Sequence, residues 1–180
     1  MPLIKNGRIV EDRFVRVDED GPITDVAAVL VPAERYLAAA DAYAEAKAPV
    51  GVLWPNNRRI EELAPYLERL ALVALQFPAF KDGRAYSQAR ILRERYKFKG
   101  ELRATGDILQ DQFLFLLRAG FDSFEAKKAA DAAAFAQAVH RYSVFYQPTG
   151  DGRSTALRER LKRFHLGEDQ LLSVEKERVP

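Results

Sequence analysis

The side chains best placed to do chemistry in this sequence are arginines between residues 77 and 107. Arg84 stands at the start of a predicted helix, and Arg90 lies further along it. Arg103 falls inside a predicted buried strand. A buried arginine needs a carboxylate partner or an anionic ligand, because an isolated charge is very unfavourable in the interior. The stretch therefore predicts a small anion site.

The loop before this helix supports an anion more directly. Gly83 allows a ligand to approach closely, and a helix start offers free backbone N–H groups. Arg84 adds a forked donor that suits sulfite, phosphate or carboxylate. Because neither G-x-G-x-x-G nor a P-loop is present, the pattern favours an oxyanion over a nucleotide. The predicted anion-binding residues are Gly83, Arg84, Arg90, Arg103 and Gln76.

Other polar and aromatic residues follow the predicted strands, where the ligands of parallel sheets and barrels gather. Gln76, Arg103 and Glu125 lie near the ends of successive strands and could form one hydrogen-bonded group. Asp82 and Glu125 are the candidates for moving protons. An equal alternative is that Arg103 and Glu125 form a buried ion pair that binds no ligand. The predicted pocket wall consists of Trp54, Asn56, Phe80 and Thr105.

Conventional cofactor and metal chemistry has little support in the composition. The chain has no cysteine, which excludes disulfides, thiolate-held metals and a thiol nucleophile. Its two histidines, His140 and His165, have no second histidine at ligand spacing. We expect neither a metal nor a cofactor.

Length and charge indicate an ordinary globular domain. The chain has 180 residues, and its 28 basic and 26 acidic side chains leave a net charge of +2, which predicts no nucleic-acid partner. There is no apolar signal core and no run of the roughly 20 apolar residues that a membrane span needs. We expect a cytoplasmic protein with no membrane association.

The elements that must position these residues form a repeating pattern. Five apolar runs, at 27–31, 50–54, 72–76, 101–104 and 121–125, each lead into a helical pattern. This alternation predicts an α/β fold of about five mainly parallel strands, as an open sheet or a partial (β/α)8-like barrel. Asn6-Gly7 predicts a small N-terminal β-hairpin, with 14–17 as a further candidate strand. The predicted divisions are a hairpin appendage at 1–24, an α/β domain at 25–147, and a charged tail with a short helix at 148–180.

Helix signals refine this pattern. Helices are expected at 32–46, from about 126 to 142, and at about 155–164; Pro65 should kink the helix at 60–70 or mark a later start. Asp107 with Gln110 suggests a capping box, and Gly120 a left-handed C-cap. On the helix after Gly83, Arg93 and Arg95 fall on the predicted solvated face.

One long stretch, FKDGRAYSQARILRERYKFKGELRATGDILQDQFLFLLRAGFDSFE, resembles the bacterial domain-of-unknown-function family 934. The family's D-G-R-x-Y-S-x-A-R-x-L-R segment is matched from Asp82 to Arg93, and its G-D-x-x-x-D-Q segment from Gly106 to Gln112. The likeness extends from about Val50 to Glu125. Genes of this family commonly lie beside those for sirohaem sulfite reductase, and its members are sometimes labelled oxidoreductases. The resemblance thus implies a role in assimilatory sulfate reduction, without naming catalytic residues.

Two functions follow as expectations. The first is a non-catalytic accessory protein of sulfite reduction that binds the reductase, its redox partner or a small oxyanion. The second is a small enzyme acting on a sulfur oxyanion or a carboxylate at the carboxyl ends of the strands. Because a partial barrel would expose an apolar edge, we also expect a homodimer.

Overall fold

The computed structural model describes residues 1–17, 27–46, 48–128, 131–149, 153–162 and 164. The predicted boundary at residue 24, His165 and the end of the predicted tail lie outside this described part. The three predicted divisions of the chain therefore stay predictions. None of the helices that the described residues form is long and apolar enough to cross a membrane.

One mixed sheet organises the fold. Its strands are β1 (Leu3–Lys5), β2 (Arg8–Val10), β3 (Val15–Arg16), β4 (Val29–Pro32), β5 (Val50–Trp54), β6 (Leu72–Phe77), β7 (Glu101–Gly106) and β8 (Ser123–Glu125). They pair in the order β2-β1-β8-β7-β6-β5-β4-β3. Strands β3 to β8 run parallel to one another, whereas β1 is antiparallel to both β2 and β8. The α/β class and the mainly parallel arrangement are confirmed.

The expected count of about five strands is wrong, because the described residues form a sheet of eight. Both hairpin strands pair into the main sheet through β1 and β8. A sixth parallel strand, β3, pairs with β4 through only two residues. It lies within residues 14–17, which were predicted as a further candidate strand.

The sheet curls into a half-barrel, so the partial-barrel alternative is the correct one. Arg16 on the edge strand β3 donates a hydrogen bond of 3.0 Å to Thr105 on β7. Four strand spacings separate these strands along the sheet, a distance of about 19 Å if the sheet were flat. An arginine side chain reaches much less than this, and therefore the contact requires strong curvature.

The N-terminal hairpin forms as predicted. Leu3 pairs with Val10 and Lys5 with Arg8, which leaves Asn6 and Gly7 as the two-residue turn. Their φ angles are 52° and 74°, the positive values that a tight hairpin of this kind requires.

Helices connect most of the parallel strands. The α-helices are α1 (Ala33–Ala38), α2 (Ala40–Glu45), α3 (Arg84–Arg90), α4 (Phe113–Ala119) and α5 (Asp131–His140). Ile60–Arg69 and Gln110–Gln112 are 3₁₀ helices, and Ile91–Arg95 continues α3 as a π-helical turn. Residues 156–162 are also helical, as predicted for the tail.

Several helix predictions need correction. The helix expected at 32–46 is interrupted at Ala39, where φ is −138°. The segment around Pro65 forms a 3₁₀ helix, consistent with the missing N–H that would interrupt an α-helix. The expected capping box at Asp107 does not form, because its carboxylate accepts hydrogen bonds from the Phe80 N–H and from Lys127. The 3₁₀ helix begins at Gln110 instead, and the Leu109 N–H donates to the Gln112 side chain. Gly120, with φ of 106°, is the predicted left-handed C-cap of α4.

The two faces of the sheet are filled differently. The convex face packs against the helices in the main core, which includes Val52, Val73, Leu75, Ala89 and Phe124. The concave face carries a small apolar cluster of Phe14, Ala28, Leu30, Leu72 and Ala74. The same face carries the polar side chains of the candidate site.

Gly106 offers a test of how tightly the site is built. It has φ of 97°, and a Cβ there would clash with the Phe77 carbonyl oxygen. We predict that Gly106→Ala lowers the free energy of unfolding by at least about 2 kcal/mol, through clash and backbone strain. Urea denaturation measures this change.

Gly83→Ala is the matched control for this prediction. At Gly83 φ is −84°, and the nearest atom to an added Cβ is 3.8 Å away. Gly83→Ala should lower the free energy of unfolding by less than about 1 kcal/mol, since no positive φ is required there. Equal effects of the two substitutions would contradict the close approach at Gly106.

Candidate functional site

Arg103 lies at the centre of the concave face, with a side chain only 1% exposed. Its terminal nitrogens lie 2.6 Å and 3.0 Å from the two carboxylate oxygens of Asp12. Glu101 accepts two further hydrogen bonds, at 3.0 Å and 3.2 Å, and a Glu125 oxygen is 3.6 Å away. The predicted pair with Glu125 therefore exists, as one of three carboxylate partners.

Strand alternation places these groups together. Glu101, Arg103 and Thr105 occupy every second position of β7 and so point to one face of the sheet. Ser123 is the register partner of Arg103 on β8, and Glu125 follows two residues later. On the other side of β7, the partner of Arg103 is Ala74, whose small side chain leaves room for the guanidinium.

A second layer of contacts completes what we call the charge network: Lys5, Asp12, Arg16, Glu101, Arg103, Thr105, Ser123 and Glu125. Glu101 also accepts hydrogen bonds from Lys5 at 2.8 Å and from Ser123 at 2.7 Å. Glu125 accepts hydrogen bonds from Arg16 at 2.5 Å and from Thr105 at 2.6 Å. Three cationic side chains thus face three carboxylates, and the formal charges cancel.

The segment at residues 11–14, here called the strap, closes this network. It connects β2, at one edge of the sheet, to β3 at the other edge, and so crosses the concave face. Asp12 binds Arg103 from the strap, and the Phe14 ring centroid lies 5.6 Å from the guanidinium carbon. Phe14 itself is buried against Leu30, Leu72 and Ala74. The strap therefore occupies the space above Arg103 where a bound anion was predicted.

The network also shifts the ionisation of its members. Burial alone would raise the pKa of Glu101, but hydrogen bonds from Lys5, Ser123 and Arg103 lower it to about 2. Burial disfavours the charged form of Arg103, yet Asp12 and Glu101 together raise the pKa of the guanidinium. Both groups are therefore held in their charged forms at neutral pH.

The accessible part of the concave face is its carboxyl-end rim. Thr105 and Glu125 are buried there, whereas Arg16 is half exposed and Gln76 is exposed. Gln76 lies beside Thr105 in the register of β6 and β7. This rim is where an approaching anion would meet a guanidinium and a side-chain amide.

The predicted anion loop at Gly83 lies elsewhere, on the helix side of the sheet. Asp82 accepts hydrogen bonds from Arg84 Nε at 3.0 Å and from a terminal nitrogen at 2.6 Å. The Arg84 guanidinium holds the pKa of Asp82 well below its usual range. α3 begins at Arg84 and has only seven residues. The loop thus supplies its own carboxylate to Arg84, and anion binding there stays a prediction.

The remaining predicted site residues do not gather at one place. Arg90 is exposed on α3 and pairs with Glu94 one turn later. Trp54 lies in the main core on the convex face, opposite to Thr105. Asn56 is buried and Phe80 exposed, both in loops. The predicted pocket wall is therefore divided between the two faces of the sheet.

Arg93, expected on the solvated face, is instead a structural clamp. It donates hydrogen bonds to the carbonyl oxygens of Phe98, Gly100 and Gly120, and it forms an ion pair with Asp122. The π-helical turn after α3 shifts the helical phase, so a constant period of 3.6 residues misplaces this side chain.

Sequence reasoning missed Lys5, Asp12, Arg16, Glu101 and Ser123 as members of the network. The alternation of side chains along a strand could have indicated two of them. Glu101 lies two residues before Arg103, and Ser123 lies two residues before Glu125. Nothing in the order of residues connects Asp12 to Arg103, which is 91 positions later.

The side chain of His140, like His165, lies outside the described part. Within the described residues, no group of three or more histidine, aspartate or glutamate side chains is arranged to hold a metal ion.

The fold and the site define an α/β half-barrel protein whose concave face is closed by its own charged side chains. The family described as "Bacterial protein of unknown function (DUF934)" matches residues 51–157. The chain belongs to this family, as the sequence resemblance predicted. No curated protein matches the chain.

Arg103→Met tests the central ion pairs. The substitution keeps most of the side-chain volume but leaves Asp12, Glu101 and Glu125 without their shared cation. We predict a loss of roughly 3–5 kcal/mol in the free energy of unfolding, as is typical when one partner of a buried ion pair is removed. Arg90→Met removes an exposed pair and should cost less than about 0.5 kcal/mol. Similar losses would contradict the structural role of Arg103.

The pKa of Glu101 predicts a pH dependence. Its folded value of about 2 lies below its ordinary value of 4.5. The carboxylate therefore stabilises the fold fully above pH 4.5, and this stabilisation is lost as the pH falls from 4.5 through about 2. Glu101→Gln should lower the free energy of unfolding by on the order of 3 kcal/mol at neutral pH.

Urea denaturation at pH 7 and at about pH 3 measures both proteins in this window. The gap between wild type and Glu101→Gln should narrow at the lower pH. A gap that stays constant would show that the carboxylate has no depressed pKa.

Proposed function

We propose that this protein is a non-catalytic accessory protein of assimilatory sulfite reduction that binds sirohaem sulfite reductase or its redox partner. The single observation that carries the non-catalytic part is the strap. Asp12 and Phe14 cover Arg103, the group best suited to hold an anionic substrate. The concave face around Arg103, where an anion was predicted, is therefore filled by the chain itself.

The state of the candidate acids and bases supports the same proposal. Asp82 is bound to the guanidinium of Arg84, which favours its ionised form. Glu125 accepts hydrogen bonds from Arg16 and Thr105 and lies within ion-pair distance of Arg103. A general acid or base must be free to exchange a proton with the substrate. The carboxylates of Asp82 and Glu125 instead bind partners within the protein.

The metabolic setting comes from the family. The resemblance implies genes that lie beside those for sirohaem sulfite reductase, which favours a partner in that reaction. A chain without cysteine cannot carry a thiolate-held redox centre of its own. The proposed role is therefore to bind a protein that does the chemistry.

The enzyme alternative has one observation in its favour. At the carboxyl-end rim, Arg16 and Gln76 reach solvent beside Thr105 and Glu125. A sulfur oxyanion or a carboxylate could bind to this guanidinium in the position that (β/α)8 enzymes use for their substrates.

A homodimer also stays a proposal. The two edge strands, β2 and β3, have three and two residues, and they carry Arg8 and Arg16. Short, charged edges of this kind discourage strand pairing between copies. Any dimer would therefore form through another surface.

Binding to the purified reductase holoenzyme tests the proposed function. Immobilised protein should retain sirohaem sulfite reductase from the same bacterium at modest salt, and it should consume no sulfite when incubated with an electron donor alone. Absence of retention would contradict the accessory role.

A thermal-shift titration separates the enzyme alternative. If the protein acts only by binding a protein partner, sulfite, sulfate and phosphate leave the melting temperature unchanged. An increase with sulfite that Arg16→Ala abolishes would show oxyanion binding at the rim, which the enzyme alternative requires, since a ligand specific to the native state must stabilise it.

A further inference from the structure

Exposed apolar side chains are concentrated near the end of the described chain. Eleven large hydrophobic side chains are exposed among the described residues, and six of them lie between positions 142 and 164. These six are Tyr142, Val144, Tyr146, Leu157, Leu161 and Phe164. Such a concentration of exposed apolar side chains marks a surface that contacts something else.

Three of the six form a stripe on one helical face. Residues 156–162 and 164 are helical, and Leu157, Leu161 and Phe164 are spaced i, i+4 and i+7. At 100° per residue these side chains fall within about 60° of one another around the axis. The helix thus presents its apolar face outward.

The other three lie on the segment at 142–146. Tyr142, Val144 and Tyr146 are exposed there, whereas Phe145 is buried. The Arg118 guanidinium carbon lies 3.9 Å from the centroid of the Phe145 ring. Phe145 also pairs with Thr155, directly before the helix. The segment at 142–146 is therefore anchored beside the helix start.

Basic side chains border the apolar stripe. Arg158, Arg160 and Lys162 are exposed on the helix. The acidic residue Glu159 accepts hydrogen bonds from Ser154 and, at 3.1 Å, from Lys162. Three basic groups and one carboxylate leave this short helix with a formal charge of +2. A complementary partner would present acidic groups around an apolar groove.

We propose that this helix, with the adjoining segment at 142–146, is the surface that docks into an acid-rimmed apolar groove of the sulfite reductase. The inference rests on the proposed function and adds to it the surface and the recognition chemistry. Anchors at i, i+4 and i+7 are the pattern by which an amphipathic helix enters a protein groove.

Two other occupants fit the surface less well. In a symmetric contact between two copies, the same basic residues would face one another and repel. A lipid surface would receive only two helical turns, whereas many interfacial helices have roughly 20–30 residues. A protein groove fits both the anchor spacing and the charge.

The experiment measures binding of the intact chain to reductase holoenzyme by biolayer interferometry. Leu157→Gln and Leu161→Gln together should weaken binding about tenfold or more, because anchor side chains carry most of the binding energy. Leu161 is 50% exposed and Ile9, on the edge strand β2, is 51% exposed. Ile9→Gln is therefore the matched control, expected to change the dissociation constant by less than about twofold.

A charge-reversal variant tests the proposed acidic rim of the partner's groove. Arg158→Glu should slow association and reduce its dependence on salt, since complementary charge acts mainly on the association rate. Arg59→Glu is the control for the same charge change, at an exposed position outside this surface. Circular dichroism of each variant confirms that the fold is retained.

The outcomes separate the two proposals. If wild type binds and the double variant binds equally well, the docking surface is wrong and the accessory function stands. If wild type does not bind, the accessory function fails and this surface fails with it. Loss of a dimer in light scattering, or loss of sedimentation with phosphatidylserine vesicles, caused by the double variant would instead assign the surface to a second copy or to a membrane.

Discussion

Burial of the Arg103 guanidinium is the constraint on which the rest of this structure depends. A charge that is 1% exposed is stable only with carboxylates in good geometry. β7 and β8 supply two of them, Glu101 and Glu125, but the closest contact comes from Asp12 in the strap. Residues at the start of the chain must therefore cross the whole concave face. The positions of the hairpin and of β3, on either side of the strap, follow from this requirement.

This arrangement changes what a half-barrel can do. In (β/α)8 enzymes the carboxyl ends of the strands surround an open site. Here paired charges and Phe14 fill the concave face around Arg103, in the middle of the sheet. At the carboxyl-end rim, Arg16 and Gln76 are exposed. The described surface offers another kind of feature, an apolar and basic helix at 156–162. Both observations favour a protein that acts by binding a partner.

The sequence predicts the parts of this fold that depend on local pattern. Short apolar runs that alternate with helical patterns located the five main parallel strands, and Asn6-Gly7 located the hairpin turn. The sequence also identified Arg103 as a residue that needs a buried partner or an anionic ligand. It could not identify Asp12, because their contact depends on the curvature of the whole sheet and on a two-residue strand. Arg93 was misplaced for a local reason, a π-helical turn that breaks the helical period.

A double-mutant cycle on Asp12 and Arg103 tests the account most directly. The free energy of unfolding is measured for wild type, Asp12→Asn, Arg103→Met and the double variant. If the strap closes the network through this pair, the two substitutions should couple by about 1–3 kcal/mol, with the double variant less destabilised than the sum of the single ones. Additive effects, within about 0.5 kcal/mol, would contradict the account.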